Sequence, residues 1–303
     1  MYKLIAIAGR KGHGKDTAGA ALVAKGYTNV KFADALKGMF RVLLAEEGLD
    51  KATIQEMVDG GQKEEPIKYL EGRFLEKLDV EKTAQKMVAF LMEYQGAKYP
   101  TKKNLDEPQD TLQGRSAAYA IEVLADFIIK WRDNADVTPR LIMQELGTEY
   151  GRVSLGDKIW TTATRGRIKS IAGPVVVTDM RFVNERDEMA GMGALLLRVK
   201  RPMLTNGQRS DHPSETAIDD LVVDHELLND GGIEKLQNHT TLAANNQKAG
   251  VKVINIDKNS AIQYPHIMDH PEMRYAQRII SSKHDAEAAR AIYEIEYLAP
   301  IRQ

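Results

Sequence analysis

The sequence predicts an α/β fold in which a parallel sheet is flanked by helices. Short apolar runs at residues 4–8, 30–33, 171–179 and 194–199 indicate buried strands. Patterns with helical spacing separate these runs, and strands that alternate with helices form parallel sheets. A glycine-rich turn follows the first run and an aspartate ends the third, so polar groups stand where an open parallel sheet binds ligands.

The first strand leads into a loop that we predict binds a phosphate chain. A strand, a glycine loop, a lysine and a hydroxyl residue before a helix make the P-loop pattern. Glycines let backbone N–H groups turn inward around phosphates, and the helix N-terminus adds unpaired donors. Lys15 supplies a mobile positive charge. The predicted binding residues are Gly9, Lys11, Gly12, His13, Gly14, Lys15, Asp16 and Thr17.

This loop departs from the usual pattern at one position. Asp16 follows Lys15 directly, and the hydroxyl comes one residue later at Thr17. We therefore expect Thr17 to contact an inner phosphate, while Mg²⁺ is held by water, by Asp16 or by a carboxylate elsewhere. A glycine-rich turn without any ligand is the alternative, and Lys15, Thr17 and the preceding strand argue against it.

Composition narrows the class of protein. The 303 residues carry 42 Lys and Arg against 43 Asp and Glu, which argues against a large non-specific nucleic-acid surface. The absence of cysteine excludes disulfides, zinc–thiolate sites and thiol catalysis. The first apolar run is too short for a signal peptide, and no run reaches the ~18 residues of a membrane span. We expect a cytoplasmic protein that binds neither nucleic acid nor membrane.

The chain divides into three predicted regions. Residues 1–47 and 137–245 would form the sheet-bearing core. Residues 48–136 are charged and poor in strands, with apolar stripes at helical spacing, and would be a helical insertion that serves a substrate, a lid or an oligomer. Residues 246–303 would be a mainly helical C-terminal extension packed on the core, apart from a short strand at 251–256.

Asp34 follows the second predicted strand, at the sheet edge where ligands bind. There it could contact a substrate or a metal ion. Aspartate is also a good N-cap, and a helical pattern runs from residue 35 to 47. The two roles are compatible, and the sequence favours neither.

A helix beginning near residue 139 carries further candidates. Thr138 before Pro139 predicts an N-cap with proline in the first turn. Arg140 and Gln144 then share one face and could bind a phosphate and a base edge, with Arg152 as a second cation. An ordinary amphipathic helix with its polar side chains in solvent is the alternative, and spacing alone favours it.

The third strand ends in a carboxylate followed by a cation. Three consecutive valines before Asp179 resemble a Walker-B strand, whose aspartate holds Mg²⁺ directly or through water. Arg181 points the same way and could clamp a phosphate with two hydrogen bonds. Asn184 is the predicted N-cap of the next helix. A purely structural pair between Asp179 and Arg181 is the alternative.

Cationic residues follow the fourth strand in a segment with two prolines. Arg201, Arg209 and His212 are candidates for a lid over transferring phosphates, and a solvated loop is the alternative. Beyond them, residues 221–228 resemble a strand, 229–232 a turn and 233–237 a helix.

Together these motifs resemble those of the phage deoxynucleoside monophosphate kinases, within the P-loop nucleoside monophosphate kinase group. They occur in family order between about residues 3 and 237. The matching segments are GKDT at 14–17, FADALK at 32–37, KEEP at 63–66, PRLIMQELGTEYGR at 139–152, VTDMRFVNE at 177–185, DHPSE at 211–215 and NDG at 229–231.

The resemblance implies transfer of the γ-phosphoryl group of ATP to a deoxynucleoside 5′-monophosphate, with Mg²⁺, on a five-stranded parallel core of the P-loop kinase fold. It implies Lys15, Asp179 and Arg181 as catalytic residues, and Asp16 and Asp179 as metal ligands. The acceptor nucleotide would be held by Asp34, Lys37, Arg140, Gln144, Glu149, Arg152, Arg181 and Glu185. Small-molecule nucleotides would be the partners. Residues 68–136 and 240–303 exceed the resemblance and could form a homodimer surface, a lid support or a partner site.

Two other functions remain open from the sequence. One is another P-loop small-molecule kinase, acting on dephospho-coenzyme A or a sugar, against which the segment 140–152 argues. The other is a regulatory protein that binds ATP and transfers nothing. Asp179 and Arg181 remote from Lys15 would favour the regulatory protein. Their convergence on an acceptor-sized pocket would favour a kinase.

Overall fold

The computed structural model describes residues 2–67, 74–132, 136–201 and 218–245. Its central element is a five-stranded sheet in the order β2-β5-β1-β6-β7, in which all four neighbouring pairs are parallel. A separate two-stranded antiparallel pair, β3 and β4, lies in the helical part. The strands are β1 Leu4–Ala8, β2 Thr28–Val30, β3 Pro108–Gln109, β4 Arg115–Ser116, β5 Val175–Met180, β6 Leu195–Lys200 and β7 His225–Leu228. This arrangement confirms the predicted α/β fold with a five-stranded parallel sheet.

Helices cover the sheet and form a second layer beside it. A π-helical segment, Leu146–Leu155, continues the sixth helix, and short 3₁₀ turns lie at Gly61–Glu64, Lys102–Asn104 and Asp110–Leu112. None of the helices in the described residues has the length and hydropathy of a membrane-spanning segment. The helices are α1 Lys15–Val23, α2 Ala33–Glu46, α3 Lys51–Val58, α4 Val80–Tyr94, α5 Ala117–Trp131, α6 Pro139–Glu145, α7 Ile159–Ser170, α8 Val183–Gly191 and α9 Ile233–Asn245.

Strand β1 lies at the centre of the sheet, and all five of its residues are buried. Alternate side chains enter two different hydrophobic clusters: Leu4 and Ala6 pack on one face, Ile5 and Ile7 on the other. A strand buried on both faces reads as a continuous apolar run, which is why the pattern of residues 4–8 predicted it correctly. The register pairs Ala8 with Met180 of β5, so these two strands end side by side.

The helical layer shares one hydrophobic cluster across the predicted region boundaries. Met39 and Phe40 of α2 pack in the same cluster as Leu91 of α4, Leu124 of α5 and Trp160 of α7. The division into a core, an insertion and an extension stays a prediction. The structure adds that helices from residues 33–46 and 139–170 contribute to the core of the insertion. The extension at 246–303 and its predicted strand lie outside the described residues.

Several predicted boundaries are wrong by a few residues, and the hydrogen bonds explain two of them. Strand β2 ends at Val30, and Ala33 is already helical. Helix α8 begins at Val183, so Asn184 is not its N-cap. In both cases a carboxylate from outside the N-cap position accepts N–H groups at, or just before, the first helical residue. Asp179 accepts the N–H groups of Phe32 and Ala33 at the start of α2. Glu185 accepts those of Arg181 and Phe182, just before α8.

Three further boundaries differ. The third strand begins at Val175, after Gly173 and Pro174, and the run at 221–228 is extended only over His225–Leu228. The last described helix runs to Asn245 instead of residue 237. The predicted N-cap at Thr138 is confirmed, because its hydroxyl accepts the N–H of Leu141 at 3.2 Å.

Candidate active site

The loop after β1 has the backbone shape that phosphate binding requires. Gly12 and Gly14 adopt φ values of +81° and +102°, in the left-handed region that side chains rarely tolerate. Gly14 is the N-cap of α1, which therefore begins at Lys15. The first N–H groups of a helix have no partner within it and attract anions. The loop thus presents an N-terminus at the carboxyl edge of the sheet, as predicted for residues 9–17.

Charged side chains gather at the start of α1. The Lys15 side chain is only 12% exposed, and its Nζ lies 3.5 Å from a carboxylate oxygen of Asp16. Lys31, just past β2, places its Nζ 3.5 Å from the other oxygen of Asp16. Thr17 is half-buried in the same helical turn. Asp16 therefore lies between two ammonium groups, where its charge is stabilised by both cations and by the helix N-terminus.

A cavity of about 280 Å³ opens at the carboxyl end of β5, the strand that neighbours β1. It lies between α2, α6, the π-helical segment and the start of α8. Its apolar wall includes Phe32, Leu36, Met143, Trp160 and Phe182. Its polar groups are Gln144, Thr148, Arg152, Asp179, Arg181 and Glu185. A mostly apolar wall with a few convergent polar groups is typical of a small-molecule site.

Asp179 joins the cavity floor to the start of α2. One of its carboxylate oxygens accepts the N–H of Phe32 at 2.8 Å, and the other accepts that of Ala33 at 3.1 Å. Burial raises the pKa of Asp179, and these two hydrogen bonds oppose the rise. The nearby charge of Asp34 raises the pKa further. Each oxygen keeps a second lone pair for a ligand, so Asp179 can hold the helix and still face a metal or a donor.

Glu185 is buried on the other side of the cavity. One of its oxygens accepts the N–H groups of Arg181 at 2.8 Å and Phe182 at 3.2 Å, and the other lies 3.6 Å from a guanidinium nitrogen of Arg152. The same guanidinium lies 4.6 Å from the centre of the Phe182 ring, a cation–π contact. Burial raises the pKa of Glu185 to about 7. At neutral pH this carboxyl group can therefore either donate or accept a hydrogen bond.

Four of the predicted acceptor residues do not line this cavity. Lys37 pairs with Asp59, with 2.6 Å between Nζ and a carboxylate oxygen. Asp34 accepts the N–H of Lys31 at 2.8 Å, and burial raises its pKa. Glu149 lies exposed on the π-helical segment. Arg140, the fourth, has a partner of its own.

Arg140 forms a forked ion pair with Glu64, and its Nε lies 2.7 Å from both carboxylate oxygens. The hydrogen bond from Arg140 holds the pKa of Glu64 below its usual value, and Lys11 of the phosphate loop adds a smaller attraction. The pair is exposed and near enough to Lys11 to be influenced by it. Arg140 is thus held by Glu64, one helical turn before Gln144 of the cavity wall.

The lid candidates are only partly described. Arg201 is exposed directly after β6, while Arg209 and His212 lie outside the described residues.

The apolar wall of the cavity was not predicted from the sequence. Trp160 reaches the cavity because its ring nitrogen donates to the carbonyl of Gly147 at 2.8 Å, a contact made by the packing of α7 on the π-helical segment. Phe182 could have been found, since it follows Arg181 within the segment 177–185.

No group of three or more potential metal-ligating side chains converges anywhere in the described ranges. Asp16 lies at the start of α1 beside the phosphate loop, and Asp179 lines the cavity. Mg²⁺ is commonly held by one or two carboxylates together with phosphate oxygens and water. These two residues therefore fit a cation that arrives with a nucleotide.

Comparison with known proteins identifies the family. A family model described as deoxynucleotide monophosphate kinase matches residues 3–240. The chain belongs to this family. It is also 34% identical, over 99 residues, to the deoxynucleoside-5′-monophosphate kinase of Escherichia phage T5. That match spans 31% of this chain and 40% of the phage protein. The family predicted from the motifs is thus confirmed.

Proposed function

We propose that the protein transfers the γ-phosphoryl group of ATP to a deoxynucleoside 5′-monophosphate, giving the diphosphate and ADP. The observation that carries this proposal is the position of the cavity relative to the phosphate loop. Ala8 of β1 pairs with Met180 of β5, so the loop that begins at Gly9 and the strand end that carries Arg181 are neighbours. Family membership supplies the reaction class.

The proposed donor site is the loop at residues 9–17. Backbone N–H groups and the start of α1 would bind the phosphates of ATP, with Thr17 on an inner phosphate. Lys15 would follow the transferring group, because its side chain is largely buried and its charge lies at the helix N-terminus. When bound with ATP, Mg²⁺ would neutralise phosphate charge, and Asp16 and Asp179 are the residues that would hold it.

The proposed acceptor site is the cavity. Its aromatic wall suits a nucleobase, and Gln144 offers an amide to the edge of a base. Arg181 would bind the acceptor phosphate, and Arg152 is held against Phe182 and Glu185 as a second cation. Arg140 would join them by leaving Glu64. Asp34, Lys37 and Glu149 would act from outside the cavity wall.

The proposed phosphoryl transfer depends on alignment of the two nucleotides more than on acid–base catalysis. The acceptor oxygen is already an anionic phosphate oxygen, so no base has to remove a proton from it. The residues must bring two mutually repelling anions together and offset the charge that moves with the phosphoryl group. Closure of the site over the nucleotides would exclude water, which otherwise hydrolyses ATP. Arg201, Arg209 and His212 are proposed for this closure.

A product assay tests the proposal. The protein, ATP and Mg²⁺ are incubated with each deoxynucleoside monophosphate and its ribose counterpart, and diphosphates are separated by chromatography. Diphosphate formed from a deoxynucleotide and lost in Lys15→Ala supports the kinase. ATP that binds without phosphorylation of any acceptor would refute the kinase and favour a regulatory nucleotide-binding protein. We expect the reaction to serve small nucleotides in the cytoplasm, and a homodimer stays a prediction.

A further inference from the structure

We propose that Asn229 is a positioning residue for the donor site, because it fixes the orientation of the peptide bond between His13 and Gly14. Asn229 directly follows β7, at the carboxyl edge of the sheet. The segment NDG at 229–231 is part of the sequence pattern, and neither half of the proposed reaction uses it. This inference rests on the proposed role of the loop at residues 9–17 as the binder of ATP.

The side chain of Asn229 reaches from the edge strand to the phosphate loop. Its Nδ2 donates a hydrogen bond to the carbonyl of His13 at 2.8 Å. Its own backbone N–H donates to the carbonyl of Lys200 at the end of β6, at 2.7 Å. The side chain is therefore anchored on two strands before it meets the loop. Donation to a carbonyl uses the amide nitrogen, which fixes how the side chain is turned.

The planar peptide bond turns this contact into an effect on phosphate binding. In a trans peptide the carbonyl of one residue and the N–H of the next point in opposite directions. Holding the His13 carbonyl toward Asn229 therefore directs the Gly14 N–H away from Asn229. If this peptide flipped, a carbonyl oxygen would replace an N–H donor on that side, and its partial negative charge would repel phosphate oxygens.

In this loop a specific contact is needed to prevent such a flip. Gly12 and Gly14 have positive φ values and lack side chains, so steric hindrance alone selects one orientation poorly. His13 is held at a second point, since its Nδ1 lies 3.3 Å from the carbonyl of Val199. A Cβ placed on Gly14 would lie 2.6 Å from Nδ2 of Asn229 and 3.0 Å from a methyl carbon of Leu236. Asn229 thus packs directly against the glycine whose N–H it orients.

Asn229→Asp gives the sharpest test, because it keeps the shape of the side chain and removes the donor. Binding of ATP and of ADP is measured by titration calorimetry, and binding of the deoxynucleoside monophosphate is measured separately. We expect ATP and ADP to bind at least about tenfold more weakly, since one hydrogen bond is lost and the loop is free to flip. Affinity for the monophosphate should stay within about twofold of wild type.

A pH series separates positioning from a general loss of structure. A protonated carboxyl group can again donate to the His13 carbonyl. The ratio of ATP affinity between Asn229→Asp and wild type should therefore recover as the pH is lowered from about 8 to about 4, near the usual pKa of an aspartate. A damaged fold would show no such recovery. Thermal unfolding of each variant is recorded beside the binding data.

Asn238→Asp is the matched control, because Asn238 lies exposed on α9, near Asn229 in sequence. It should bind ATP like wild type. Equal ATP affinity in Asn229→Asp and wild type, or equal losses for ATP and the monophosphate, would overturn the inference. If Asn229→Asp does not fold, Asn229→Ser is measured in the same way, and either of these two results would overturn the inference there too. ATP binding without phosphoryl transfer refutes the proposed kinase alone, because this test reads only binding.

Discussion

The donor loop and the acceptor cavity are neighbours on the sheet, yet they are built in different ways. The proposed donor loop is nine consecutive residues, 9–17, whose backbone groups and glycines would do most of the binding. The cavity takes its wall from segments spread between residues 32 and 185, and its polar groups are side chains held by distant partners. A backbone cradle depends on local sequence, whereas a side-chain cavity depends on how the helices pack.

The two halves also differ in how charge is stabilised. Asp16 is exposed at the start of α1, where solvent screens its charge, and the largely buried Lys15 lies 3.5 Å from it. Glu185 is buried and Asp179 is half-buried against the cavity, and burial raises the pKa of both. The donor half should therefore respond to mutation mainly through activity. The acceptor half should respond through stability and pH as well.

Lys15→Ala should give the largest effect, because it removes the mobile charge that the donor loop cannot supply from its backbone. We expect kcat to fall at least about 10²-fold, in the range seen when a charge-stabilising donor is removed. The free energy of unfolding should hardly change, since Lys15 lies at a polar helix end. Steady-state kinetics and urea denaturation test both statements. Lys25→Ala is the control, because Lys25 is exposed just after α1. A large loss of stability in Lys15→Ala would contradict the expectation that the donor half responds mainly through activity.

Glu185→Gln should reveal the pH response of the acceptor half. The pKa of Glu185 is about 7 in the folded protein, against a usual value of 4.5. Between these values the folded protein binds more protons than the unfolded chain, so its free energy of unfolding decreases as pH rises. The decrease from this one group is up to about 3 kcal/mol.

Glutamine keeps an oxygen acceptor for the N–H groups of Arg181 and Phe182 and does not titrate. Urea denaturation at a series of pH values should therefore show a flatter profile for Glu185→Gln than for wild type. The difference between the two curves should become constant near pH 4.5, because Glu185 is protonated there and, like glutamine, carries no charge beside Arg152. Parallel curves across this window would mean that Glu185 is not buried as the structure has it.

These differences between the two halves explain which parts of the fold and the site could be predicted from the sequence. The strand at residues 4–8 and the glycine loop before α1 were predicted correctly because both depend on neighbours in the chain, while phosphate binding by residues 9–17 stays a prediction. Asp179 and Arg181 were placed correctly because the third strand ends with them. The start of α2 was missed because its capping carboxylate, Asp179, lies far away in sequence. Trp160 was missed because its place in the cavity depends on contacts between α7 and the π-helical segment.

Asp179→Asn tests the hydrogen bonds by which Asp179 connects the cavity to the start of α2. Asparagine offers one acceptor oxygen, so its amide group would face either the N–H of Phe32 or that of Ala33, donor against donor. We expect a loss of about 1–3 kcal/mol in the free energy of unfolding, together with weaker binding of the acceptor. ATP binding measured without Mg²⁺ should be unchanged. Asp187→Asn on α8, a largely exposed carboxylate, is the control; equal stability of both variants would show that the carboxylate does not hold α2.

Glu64→Gln should give the smallest effect of the four substitutions, and it alone should increase kcat/KM. Arg140 lies one helical turn before Gln144 of the cavity wall, but it is paired with Glu64. An acceptor phosphate must compete with this carboxylate for the same guanidinium. Exposed ion pairs contribute at most about 1 kcal/mol, so removing the competitor should raise kcat/KM for the monophosphate by about two- to fivefold.

Salt offers an independent check on this competition. Added KCl screens an exposed pair, so the advantage of Glu64→Gln over wild type should shrink as the ionic strength increases. Glu65→Gln, an exposed neighbour, should behave like wild type, while Arg140→Ala should lower kcat/KM. A lower kcat/KM in Glu64→Gln would reverse the interpretation, because Glu64 would then hold Arg140 where the acceptor needs it. In that case the acceptor half would extend beyond the cavity wall to residue 64.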